Sequence, residues 1–268
     1  MDHLWPKRPS VDSGLPHAFR FFDDAHWKMP LRWARTLPAK LGRRPRIFCA
    51  SMADVFEERD ELRGPRFRLL SLICDTPELD WLVLTKRPEF ARDFLRKTHS
   101  HAKPWDTQLP ANLWIGASIE TSRQTYRADV LREIPAAVRF ISAEPLLGSL
   151  VRDRRGQHFS AFVEDNGGRA PLNLTGIDWL IIGGESGPRA RPMQLEWARE
   201  LMHARSSRVW RNPPAVFVKQ LGSNPVGGVM DGPLTLADAK GGDMDEWPSD
   251  LRTREWPTIV SHRVPEAA

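Results

Sequence analysis

Six apolar runs recur along the chain, at residues 46–51, 80–85, 112–118, 139–142, 178–183 and 215–219, and each ends in a short polar or charged cluster. Their starts lie 34, 32, 27, 39 and 37 residues apart, the length of a strand-plus-helix unit. Runs such as Leu82-Val-Leu84 and Leu180-Ile-Ile182 are apolar on consecutive positions, as in strands covered on both faces. Right-handed crossovers then make neighbouring strands parallel. All strand C-termini share one face of such a sheet, so the six polar endings are predicted to meet in a single site.

Between the runs the pattern predicts helices over 63–74, 88–97, 126–134 and 195–208, the last with Leu195, Ala198, Leu201 and Met202 on one stripe. The expected fold is α/β: a partial (β/α)6-like parallel barrel, related to the TIM barrel, whose first strand is absent or replaced. Three regions are expected. Residues 1–45 form an N-terminal extension rich in Pro, Trp and Arg, with one short helix over 31–36. Residues 46–222 form the barrel, with turn-rich residues 149–175 as a hairpin insertion. Residues 223–268 form a looped tail packed on the barrel, with Trp247 and Trp256 as anchors.

A length of 268 residues suits one barrel-sized domain, and 41% hydrophobic with 27% charged residues is ordinary for a globular chain. No apolar stretch is long enough to span a membrane and the start lacks the apolar core of a signal peptide, so a cytoplasmic location is expected. The two cysteines, Cys49 and Cys74, fall on a strand and a helix and read as inert core thiols. No glycine-spaced dinucleotide fingerprint, phosphate loop ending in Gly-Lys-Ser/Thr or Gly-x-Ser-x-Gly elbow occurs, and none of the eight histidines follows a strand end. A Ser/His/Asp hydrolase is therefore disfavoured.

The endings supply Ser51 and Asp54; Thr85, Lys86 and Arg87; Ser118 and Glu120; Ser142 and Glu144; Gly183, Gly184, Glu185 and Ser186; and Lys219 and Gln220. Glu120, Glu144, Glu185 and Lys219 are the candidate catalytic residues, and the others candidate ligand contacts. Three carboxylates around one mouth repel unless cations or protons intervene, and Lys86, Arg87 and Lys219 are the cations at hand. The same residues also suit an ion-pair network that closes the rim. No metal ligands are assigned. Net charge is +5, with Arg32, Arg35, Lys40, Arg43, Arg44 and Arg46 clustered. They suit either a solvated surface or contact with nucleic-acid phosphates.

Six motifs in order carry a resemblance: ASMADVF (50–56), LTKRP (84–88), WIGASIE (114–120), FISAEPLLG (140–148), DWLIIGGESGP (178–188) and FVKQ (217–220). Together with ARPM (190–193) and EWP (246–248), they make the chain similar, over roughly residues 28–257, to the phage-associated family named after gene products thirty-seven and sixty-eight. That resemblance implies a phage-related, radical-SAM-like barrel. In that family closely spaced cysteines on an N-terminal strand and loop would hold a [4Fe–4S] cluster that reduces S-adenosylmethionine. This sequence has no such cysteine motif. Two readings follow: a chain that begins downstream of the cluster-bearing strand, which is favoured, or a cluster-less derivative acting as a binding protein. The alternative to an enzyme is a non-catalytic phage protein that binds nucleic acid or a partner through the basic segment.

Overall fold

A computed structural model of the chain describes residues 23–49, 53–99, 109–151, 171–206, 212–227 and 234–258. Ser51, residues 1–22 of the extension and most of the expected hairpin, 152–170, lie outside the described residues. Six strands form one parallel sheet in chain order: β1 (Arg46–Cys49), β2 (Asp80–Thr85), β3 (Leu113–Ser118), β4 (Val138–Ala143), β5 (Trp179–Gly183) and, after the two-residue β6 (Met193–Gln194), β7 (Ala215–Gln220). The sheet curls into a half-barrel, the partial barrel expected from the spacing. A short β8 (Pro225–Val226) pairs with β6.

Side chains alternate between the two faces of each strand, and the two sets separate cleanly. Ile47, Val83, Ile115, Ile141, Ile182 and Val218 join the large core with the helices α2 (Arg63–Asp75), α3 (Pro88–His99), α4 (Arg127–Arg132) and α5 (Leu195–Ser206), through residues such as Ile73, Ala91, Leu131 and Leu201. Leu82, Trp114, Val138, Phe140, Trp179 and Ile181 form a second cluster with Phe48, Leu84 and Phe217 on the concave face. Gly116 belongs to that inner set. A Cβ there would stand 2.2 Å from the Phe140 ring, so glycine gives the aromatic its space.

The helix α1 spans Asp24–Leu41, three times the length expected from the sequence. Asp23 caps it by accepting from the His26 amide, and Gly42 ends it at φ 62°. Pro30 and Pro38 sit inside it. Each forfeits a backbone hydrogen bond. The cost is offset because Pro30 and Ala34 are buried and Trp27, Leu31 and Trp33 pack on the main core.

The Val218 amide donates to the Thr253 carbonyl, and the Glu255 amide to that of Val216, so residues 253–255 run antiparallel along the outer edge of β7. Trp247 is buried, with Nε1 donating to Gly241. Trp256 packs on Trp179 at 4.9 Å and Phe217 at 5.1 Å, while the Arg46 guanidinium lies 3.9 Å from its ring centre. The tail thus bridges the inner face from β7 to β1. Asp243 and Glu246 accept backbone N–H groups at turns, a structural use of the acidic segment.

Two expectations are corrected. Cys74 is exposed, not a core thiol; Cys49 is half-buried, and burial pushes its thiol up to about 12. Arg44 pairs with Asp80 at 3.1 Å and Arg46 stacks among the inner aromatics, so neither belongs to a free basic surface.

Candidate functional site at the strand C-termini

The inner-face parity that places Leu84, Trp114, Phe140, Ile181 and Phe217 in the lumen continues through Ser118, Ser142, Gly183 and Lys219 at the strand ends to Lys86, Glu120, Glu144 and Glu185 beyond them, with a register shift between β5 and β7 that sets Gly183 opposite Gln220. The residues expected to share a site therefore converge by register. The Lys86 ammonium lies 2.7 Å from Glu120, and Lys219 lies 2.9 Å from Glu144. Glu144 also accepts from the Ser142 hydroxyl at 3.2 Å.

Glu144 reaches its place over bare backbone. A Cβ on Gly183 would meet the Glu144 carboxylate at 2.7 Å, so a side chain there would evict it. The peptide Glu144–Pro145 is cis, which turns the chain sharply after β4. The Leu146 amide then donates to Gly183 and the Leu147 amide to Glu120, tying three neighbouring endings together. Gly184 packs equally tightly: its Cβ would stand 2.1 Å from the Leu221 carbonyl, and the Gln220 side chain donates to the Gly184 carbonyl. Gln220 and Gly184 thus shape the wall rather than face a ligand.

Glu185 has a partner that sequence reasoning missed. Arg191 donates to it from its backbone N–H at 2.9 Å, from Nε at 2.7 Å and from the terminal guanidinium at 3.2 Å. These hydrogen bonds hold the Glu185 carboxyl below the usual range, the side-chain bond contributing most. Arg191 also feels Glu120 across the mouth. The available signal was Arg191 of the ARPM segment, six residues downstream of Glu185. Ser186 is exposed beside Glu185.

Asp54 plays a different part from the one expected. Its carboxylate accepts from the Thr85 hydroxyl, the Phe56 and Lys86 amides and the Arg87 guanidinium, all within 3.0 Å. Its lone pairs are committed to fixing the β2 ending, with Arg66 anchoring the same loop through the Val55 and Glu57 carbonyls. Asp54, Thr85 and Arg87 are therefore structural supports that aim Lys86. Thr85, Ser118 and Ser142 are buried. Arg127 steadies the third ending by donating to the Ser118 carbonyl at 2.7 Å.

Among the described residues, no group of three His, Cys, Asp or Glu side chains is placed to hold a metal ion. The whole chain has two cysteines, fewer than the thiolates a [4Fe–4S] cluster requires, and Cys74 is exposed on α2 while Cys49 is on β1. The cluster does not fit these residues.

The chain belongs to a family of proteins of unknown function, DUF5131. The match covers residues 8–235, which includes all six strands of the half-barrel and every residue of the mouth. No curated protein and no solved structure matches the chain.

Proposed function

We propose that the chain is a phage-related, cytoplasmic, radical-SAM-like barrel protein that uses the mouth of its half-barrel to bind a zwitterionic ligand. The methionyl end of S-adenosylmethionine has the matching charge pattern, one ammonium and one carboxylate. The observation that carries the reading is the layering of the ion pairs. Glu144 is 15% exposed and its partner Lys219 47%; Glu120 is 22% exposed and Lys86 57%. Carboxylates line the wall and cations cover them from the solvent side.

This arrangement suits partner exchange. A ligand ammonium takes the place of Lys219 or Lys86 against a carboxylate, and the displaced cation pairs with the ligand carboxylate. No charge is left uncompensated during the exchange, which avoids the penalty of stripping one partner from a pair. Below the mouth the lumen is filled by Trp114, Phe140 and Trp179, which are fully buried, so the ligand is met by the charged rim. The reading is one of binding, since the two cysteines of this chain are fewer than the thiolates that a [4Fe–4S] cluster requires.

Calorimetric titration with S-adenosylmethionine, its decarboxylated form and methylthioadenosine tests it. Saturable binding is expected that weakens at least tenfold when the carboxylate is removed, as in the decarboxylated form, and at least as much when carboxylate and ammonium are removed together, as in methylthioadenosine. Equal affinity for methylthioadenosine would contradict the zwitterion reading.

A further inference from the structure

The net charge of the chain is +5. Residues 23–46 carry seven basic side chains, Lys28, Arg32, Arg35, Lys40, Arg43, Arg44 and Arg46, against Asp23 and Asp24, which is also +5. The rest of the chain balances to zero. Arg44 is bound to Asp80 and Arg46 is enclosed by Trp114 and Trp256. The other five are exposed, and among the described residues no carboxylate forms an ion pair with Arg32, Arg35, Lys40 or Arg43. Lys28 stands near Asp24, which is itself hydrogen-bonded to Arg68.

Helical geometry gathers three of the five. Lys28, Arg32 and Arg35 are spaced i, i+4 and i+7, which confines them to a sector of about 60° on α1. Pro30, Ala34 and Trp27 turn the opposite side of the helix to the core. Lys40, in the last turn of α1 and about 110° round the helix from that sector, and Arg43, just past the C-cap, continue the exposed positive charge to a length of about 25 Å. An interfacial membrane helix needs its apolar face free for lipid. Here that face is already buried, and Leu41 is the only large hydrophobic of α1 that is exposed.

We infer that the exposed face of α1, Lys28, Arg32 and Arg35 with Lys40 and Arg43, is a docking surface for the phosphate backbone of a nucleic-acid duplex. Binding of this kind is independent of sequence and driven by counterion release. Five phosphate contacts imply that affinity falls about 500-fold between about 50 mM and 200 mM salt. The surface is separate from the mouth and does not depend on what the mouth binds.

Fluorescence anisotropy of a labelled DNA duplex and the equivalent RNA duplex, titrated with the full chain across that salt range, provides the test. The variant K28Q/R32Q/R35Q should retain only two contacts, so that its affinity falls about 12-fold over the same range. The second variant K40Q/R43Q removes the other end of the strip and should retain three, giving about 40-fold. Both variants change exposed side chains, and their far-ultraviolet circular dichroism should match the parent. Preference for DNA or RNA identifies the source of the phosphates. The inference is overturned by no duplex binding at low salt, by an unchanged salt slope in both variants, or by binding to phosphatidylserine vesicles or an acidic polypeptide in place of either duplex.

Discussion

Arg191 shows how much of the mouth depends on single side chains. Its three hydrogen bonds fix Glu185 in the ionised form, so the pair's contribution is fully present above the ordinary carboxyl value of 4.5. It is lost as pH falls through the lowered native value. In Arg191→Ala, the Glu185 titration followed by carbon-13 NMR should move up towards 4.5; an unmoved titration would mean that the pairing is not made in solution. The sequence showed the three glutamates and two lysines because strand parity alone places them. It did not show Arg191 or the supporting role of Asp54. Both depend on how loops fold back after the strand ends, which side-chain alternation does not encode.

At the level of elements, the six strands were legible because consecutive apolar positions and βα spacing are strong signals. Helix α1 was not: Pro30 and Pro38 mask it locally, and its stability comes from packing that a single sequence does not display. The fit of β3 against β4 is equally hidden, since Gly116 reads as a weak strand residue while it makes room for Phe140. Gly116→Ala should destabilise the chain by about 1–3 kcal/mol through overpacking, measured as a lower urea midpoint. An unchanged midpoint would show that Phe140 can move aside freely.

In the whole molecule, the half-barrel is finished by its own tail. Residues 253–255 cover the β7 edge, a place that would otherwise invite pairing with other chains, and Trp256 spans the aromatic inner face to Arg46. Trp256→Ala should cost about 2 kcal/mol in denaturant unfolding, less than for a fully enclosed tryptophan because the residue is 37% exposed. No loss would mean that the tail is not part of the closed structure. Trp247 and Trp256 were legible as anchors because large aromatics in a Gly- and Pro-rich segment have little other use. The cation–π contact with Arg46 was not, because it joins residues at opposite ends of the chain.

Under the proposed function the lumen carboxylates form a binding wall rather than only a closed rim of ion pairs. Calorimetric titration of S-adenosylmethionine into the parent chain and into E120Q/E144Q/E185Q decides between them. A binding wall gives one-to-one saturable heat for the parent and at least about tenfold weaker binding for the variant, since each lost charged hydrogen bond costs about 1.5–3 kcal/mol. No heat with the parent, or equal affinity in the variant, would contradict it.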